Sequence, residues 1–395
     1  MNMDKIRHVK LSDISQLITK GTTPTTVGFE FQNFGVSFLK IECFDENGNY
    51  IPEKTAHISE ECNEKLKRSQ LKAGDILFSI AGAIGRVAVI TEEMLPANTN
   101  QALAIIRIDR DDVYLPYVTL ILSSPLIKTQ FEKKKQGVAQ LNISLKDVND
   151  LEIPLPEYPQ QVSFVDAFDK VRRIIQDRKK ELQSLDDLIN ARFVEMFGDP
   201  LINTYCWETM PIISVCKKIF GGGTPSKNHP EYFEGDIPWV SPKDMKSEVI
   251  TDSIDHITKE AIANSTTSLV PANSVLMVIR SGILKHSLPV AINAVPVTIN
   301  QDMKAFVPGE NITASFLRNY FHAIESDVLS GVRGVTADNI EFKAFQMRQM
   351  IMPPLSKQKE FELFCQQVDK SKAVVQKALD EAQLLFDSLM QQFFG

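Results

Sequence analysis

From Phe164 onward the chain places apolar side chains alternately four and three residues apart, at Phe164, Phe168, Val171, Ile175, Leu182, Leu185, Ile189 and Met196. The same alternation returns near the end, at Phe361, Cys365, Val368, Val375, Leu379, Ala382, Phe386, Leu389 and Phe393. An apolar repeat of this kind is the seam of a coiled coil, so two long helices are expected. Arg178, Arg192 and Lys372 interrupt the seam; a long basic side chain can lay its stem along such a surface and keep its head group in water. Pro159 and the Pro353-Pro354 pair stand just ahead of the two patterns, where proline marks a helix boundary. A helix of about 38 residues is on the order of 57 Å long.

Elsewhere the pattern is different. Short β-branched or aromatic runs ("VSFLKI", "GRVAVI", "LAIIRI"; "IPWV", "SVLMVI", "PVAI") alternate with turn residues and with helical patches such as "YLPYVTLILSSPLIKTQF", which reads as a mixed α+β globule. The runs also recur. "GTTP" from Gly21 is matched by "GGTP" from Gly222, "LKAGDILFSI" from Leu71 by "VPANSVLMVI" from Val270, and "NQALAII" from Asn100 by "NQDMKAF" from Asn300. "GVAQLNI" from Gly137 pairs with "GVTADNI" from Gly334, and "EMFG" ending at Gly198 with "QFFG" ending at Gly395. The chain is therefore two copies of one unit, each a globule followed by a helix. The expected fold class is α+β, with two similar mixed α/β domains joined by two long antiparallel coiled-coil helices in a pseudo-two-fold duplication. The boundaries fall at residues 1–155, 156–198, 199–350 and 351–395. One helix of a local bundle is the alternative for each seam; equal helices at equivalent places favour pairing with each other as a spacer.

Composition narrows the class. With 395 residues and 43% hydrophobic content the chain can fill more than one core. No apolar leader opens it, and the most apolar stretch, "SVLMVIRSGILKH", is cut by Arg280 and Lys285, so the expectation is a cytoplasmic protein with no membrane partner. Five cysteines (Cys43, Cys62, Cys206, Cys216, Cys365) without a C-x-x-C argue against a disulfide framework or a zinc site and read as buried small apolar residues. The formal charge of −7 does not by itself suggest a nucleic acid partner.

"FGGGTPSKN" from Phe220 invites comparison with the phosphate loop of nucleotide hydrolases, G-x-x-x-x-G-K-[ST]. Ser226 stands where the second glycine belongs, Asn228 replaces the magnesium-binding hydroxyl, and Pro225 removes a backbone donor. No H-E-x-x-H and no [ND]-P-P-[YF] occurs. A stand-alone enzyme would need a catalytic constellation, and none is visible; the residues name no catalytic group and no metal ligand.

The passage "IFGGGTPSKNHPEYFEGDIPWVSPKDM" resembles the opening of a target recognition domain in the specificity subunits of type I restriction-modification enzymes. "IPLPEYPQQVSFV" and "MPPLSKQKEFE" resemble the entries into that family's spacer helices. The resemblance covers the whole chain in family order: recognition domain, spacer helix, recognition domain, spacer helix. It implies a subunit without catalytic residues that binds a split sequence in double-stranded DNA. The implied partners are two methyltransferase subunits and restriction subunits, which would hold the methyl donor and ATP. A specificity subunit of a modification-only or differently cutting system would look the same, and a coiled-coil scaffold without DNA affinity is the reading from another class.

Candidate DNA contacts follow from the matched loops. Glycines of "GGGTPSKN" would let backbone N–H groups approach phosphates, with Thr224, Ser226 and Lys227 as side-chain donors; Lys20, Thr22 and Thr23 are the candidates in the twin loop "KGTTPTT", which has Thr26 where the other has Lys227. A plain tight turn is the alternative. Arg280 with Ser281, and Arg86, follow matched strands, where an arginine reads guanine, holds a phosphate, or forms a surface ion pair. Asn100-Gln101 and Asn300-Gln301 suit adenine edges or a structural turn, and the structural role is preferred because both copies share them. Gln140, Asn142, Arg333 and Asn339 lie near the "GV" loops and compete with helix capping. Lys40 and Lys243 are further phosphate candidates.

Overall fold

The computed structural model describes residues 6–132, 143–332 and 339–394. It divides into two compact units: Met1–Arg178 with Ala378–Gly395, and Lys179–Lys377.

The first unit is organised around strand Ile76–Ser79, every residue of which is buried. A short run buried on both faces needs apolar or hydrogen-bonded side chains throughout, and "ILFS" supplies them. It lies between Leu103–Arg107 and Val87–Val89, with Leu17–Lys20 at the far edge of an all-antiparallel sheet. A second sheet sets Val36–Leu39 antiparallel to Ala56–Ile58 and parallel to Ala97–Thr99. Strand Arg7–Lys10 pairs with Glu152–Leu155, the segment that leads into the long helix Tyr158–Phe197. Val118 and Ile121 of helix Leu115–Leu122 pack into the same core as Ile76 and Phe78.

The second unit repeats this plan. Strands Cys216–Gly221, Met303–Pro308, Val275–Val278 and Val290–Asn293 lie in the equivalent order, and Thr209–Pro211 pairs with Gln349–Ile351 ahead of the second long helix, Leu355–Phe394. Ile237–Val240 again has one antiparallel neighbour, His256–Ile257, and one parallel, Thr298–Ile299. The copies differ at one edge, where Val249–Ile250 adds a strand parallel to Val290–Asn293. Even backbone signs match: the turn before the central strand has φ +85° at Gly74 and φ +62° at Asn273, asparagine being the residue that tolerates the left-handed region best after glycine.

Each unit contains a stretch of both long helices, and within each the two run antiparallel. In the first unit Phe164 meets Phe393 and Phe168 meets Phe386, so the partner's number falls as the first rises. Val171 and Ile175 continue the seam against Ala382, with Leu379 and Leu389 beside them. In the second unit Arg192 pairs with Glu360 and Asp186 with Lys372, and Ile189 shares a core with Phe361, Cys365 and Val368. Leu182 and Leu185 are half-buried, and Val375 is buried.

Three expectations need correction. The Lys372 ammonium does not reach for water: its side chain is 17% exposed and pairs with Asp186 and with Glu248, the latter at 3.2 Å. Arg192 likewise bridges Glu195 and Glu360 and lies over the Phe364 ring. Cys206 is exposed, whereas Cys43, Cys62 and Cys365 are buried as expected. The seam is also not the whole apolar surface of the helices. Phe193 and Phe197 stack around Phe316 and Phe361, and Met390 and Phe394 join the first unit's core, because the helix ends face a sheet domain as well as a helix.

Candidate nucleic-acid interface

The two glycine loops are built alike. A Cβ at Gly21 would lie 2.0 Å from the Thr99 carbonyl oxygen, and one at Gly222 only 1.6 Å from that of Asn300. Glycine is required there because backbone passes over backbone. The Thr22 N–H donates to Thr99 O at 3.1 Å and the Gly223 N–H to Ile299 O at 3.0 Å. Those two amides are therefore spent inside the protein, which corrects the expectation that the loop backbone is open to phosphates at these positions.

What faces outward is a threonine tied to a glutamine. Gln101 Oε1 accepts from the hydroxyl and, at 3.1 Å, from the backbone N–H of Thr23; Gln301 Oε1 accepts from the Thr224 hydroxyl. The preceding asparagines close the turn: Asn100 accepts from the Ala102 N–H and Asn300 from the Asp302 N–H, each at 3.1 Å. Asn300 is 7% exposed, so this asparagine serves the turn.

Lys20 and Lys227 are exposed. Lys227 and Lys243 line one cleft of about 610 Å³ together with Phe233 and Trp239. The indole N–H of Trp239 donates to Gly223 O at 3.0 Å and Phe233 lies edge-on to the ring, so the floor of the cleft is fixed to the glycine loop. Lys243 pairs with Asp255 at 2.6 Å, and that hydrogen bond holds its ammonium above the usual lysine range. Lys40 lies 3.6 Å from Glu42 and over the Phe31 ring. Ser226 Oγ accepts from the Asn228 N–H.

The arginines are engaged. Arg280 donates from Nε to Asp302 Oδ1 at 2.6 Å, and Arg86 donates to the Phe44 carbonyl at 2.5 Å. Ser281 Oγ accepts from the Ile283 N–H, capping a short 3-10 turn. Asn339 stands opposite Arg280 in a β-bridge, and the Ile340 N–H donates to Ile279 O at 2.9 Å. The first unit has the same clip from Ile143 to Ile80, so in both copies the segment after the "GV" loop returns to the end of the central strand. Gln140, Asn142 and Arg333 lie outside the described residues.

Sequence reasoning passed over three groups. Asp302 restrains Arg280, and two glutamines, Gln161 and Gln358, are fully buried near the starts of the long helices. The glutamines were detectable, since each is the fourth residue of the passages "YPQQV" and "LSKQK", which begin 197 positions apart. Among the described residues no group of three or more His, Cys, Asp or Glu is placed to hold a metal ion, and no helix is long and apolar enough to cross a membrane.

Residues 3–184 and 206–383 each match the family described as the type I restriction modification DNA specificity domain. The chain is 34% identical over 263 residues to the EcoR124I/EcoR124II specificity subunit of Escherichia coli, a match covering 63% of this chain and 62% of that protein. It is 28% identical over 186 residues to the EcoBI specificity subunit of Escherichia coli, covering 46% and 38%. The matches thus span less than two thirds of either relative. A solved chain, described under complex assembly and conformational transition of the type I R-M system, superposes over 100% of this chain and 99% of its own with a TM-score of 0.64. At 18% sequence identity that likeness is one of fold.

Proposed function

The chain belongs to the type I restriction modification DNA specificity family, and from that premise we propose that it is the DNA-recognition subunit of a type I restriction-modification complex. Residues 1–155 read one half of a split target in double-stranded DNA and residues 199–350 the other; residues 156–198 and 351–395 are the spacer helices. The chain itself is non-catalytic. Two methyltransferase subunits dock on the helices, restriction subunits join them, and methyl donor and ATP are held by those partners.

The observation that carries this reading is the repeated loop construction: one sheet plan, one threonine–glutamine tie and one strand-end clip occur in each unit, around side chains that differ. A shared frame with divergent side chains suits two readers of different half-sites, since phosphate contacts position a reader while base contacts specify. Support for helix docking comes from apolar side chains left exposed along them: Ile174, Leu384 and Leu385 in the first unit, Leu188, Leu363 and Val374 in the second. Exposed apolar groups on charged helices are what a partner subunit would cover.

The test is co-expression with the methyltransferase subunit and mapping of methylated bases by sequencing. A split motif is expected, and replacing residues 1–155 with the matching domain of a relative should change only one half of it. Simultaneous change of both halves, or methylation without a split motif, overturns the proposal.

A further inference from the structure

Gln161 and Gln358 are 0% exposed and make the same three hydrogen bonds. The side-chain oxygen of Gln161 accepts from the Tyr114 N–H at 2.8 Å, and its Nε2 donates to the carbonyls of Asp112 at 3.0 Å and Pro156 at 2.9 Å. Gln358 accepts from the Thr313 N–H at 3.0 Å and donates to Asn311 O at 3.0 Å and Pro353 O at 2.9 Å. In each unit one bond goes to the link between strand Glu152–Leu155 or Gln349–Ile351 and the long helix that follows it. The other two go to the loop that starts the sheet domain's own helix, Leu115–Leu122 or Ala314–Ala323.

Both amide donors of each glutamine are used, which leaves no alternative arrangement of equal quality. Around each glutamine the contact between sheet domain and helix is apolar, Phe164 and Phe168 against Tyr117 and its neighbours in the first unit, Phe361 and Cys365 against Phe316 in the second, where Lys372 farther along the helix also pairs with Glu248. Apolar contact holds surfaces together without specifying direction, whereas hydrogen bonds to backbone weaken steeply off axis. The polar joint therefore sets the angle that the apolar joint leaves free.

We infer that Gln161 and Gln358 are positioning residues, each fixing how its recognition domain is held on its helix and thereby which gap between half-sites the protein accepts. This rests on the split-target reading above. Base contacts within a half-site do not pass through either glutamine, so gap selectivity and base selectivity separate.

The experiment uses the assembled methyltransferase with Gln161→Met and Gln358→Met, which keep side-chain length and lose all three bonds. Binding is measured on duplexes with the native gap, with one base pair added or removed, and with one mismatch in each half-site. The ratio of native-gap to altered-gap affinity is expected to fall about tenfold, the scale of one to two net hydrogen bonds, while each mismatch ratio stays within about twofold. Gln161→Glu and Gln358→Glu retain the acceptor and serve where a methionine variant does not assemble. Unchanged gap ratios, or gap and mismatch ratios collapsing together, overturn the role. So does failure of all four variants to assemble, which would make the glutamines assembly residues. If the unsubstituted complex recognises no split target, it is the functional reading that fails instead.

Discussion

Phe168 lies edge-on to Phe386, ring centroids 5.4 Å apart and planes at 80°. Phe168 is fully buried and also stacks on Phe394, while Phe386 is only half-buried. The first unit thus closes on a ring supplied by one helix and received by the other. Phe168→Ala is expected to cost about 3–5 kcal/mol, the range for a deleted buried aromatic, and Phe386→Ala clearly less. Denaturant unfolding of the two variants compares them directly; equal losses would mean that the order of burial is wrong.

The second unit has a charged joint where the first has an apolar one. Glu248 meets Arg318 at 2.6 Å and Lys372 at 3.2 Å. Burial pushes the Glu248 carboxyl up, but Arg318 and Lys372 together draw it below the ordinary carboxylate value of 4.5. A depressed folded pKa means that its stabilisation is complete above the unfolded value and is lost as pH falls through the folded one. Asp369 opposes this: burial and Glu248 raise its pKa, so its cost is relieved as pH falls. Glu248→Gln should lose about 1–2 kcal/mol at pH 7, discounted from a fully buried pair because the side chain is 40% exposed. Its stability should also decline less steeply than that of the unsubstituted protein below about pH 4.5. Parallel acid limbs in urea titrations would rule out Glu248 as the titrating group.

Thiol reactivity follows from burial. Cys43, Cys62 and Cys365 are enclosed, and burial pushes Cys365 up to about 11 and half-buried Cys216 up to about 12. Thiolate is the reactive form, so at pH 8 the exposed Cys206 should take up iodoacetamide first. Peptide mass spectrometry that found Cys365 labelled as fast as Cys206 in the folded protein would contradict the packing.

On DNA, Lys227 and Arg280 should behave differently. Lys227→Ala should weaken matched and mismatched duplexes about equally and lower the salt slope by about one ion. Arg280 is held by Asp302; if it reads a base, Arg280→Ala should remove about 1–3 kcal/mol of discrimination at one base pair. Asp302→Asn would then strengthen binding. Salt titrations on the assembled methyltransferase separate the two; lost discrimination with an unchanged salt slope in Lys227→Ala would assign base reading to the glycine loop.

The duplication, the two long helices and the mixed sheets were legible in the chain because each rests on local periodicity or on repeated words. A seam of four and three spacing has only one helical surface to occupy, and strands such as Val275–Val278 announce themselves by uninterrupted apolar side chains. The turn role of Asn300 was likewise readable from its being shared by both copies.

Tertiary structure decided what periodicity cannot express. Whether Gly222 serves a ligand or a crossing backbone depends on Asn300, some 78 positions away. Lys372 looks like a solvated interruption of the seam until Asp186 and Glu248, the latter just ahead of edge strand Val249–Ile250, are placed beside it as ion-pair partners. The ion pair, one of the uses open to Arg280, shows only when Asp302 is placed beside it. Partners for charged and hydrogen-bonding groups are chosen by distance and direction in space, and sequence order carries neither; apolar spacing along a helix is local, and the sequence by itself determined it.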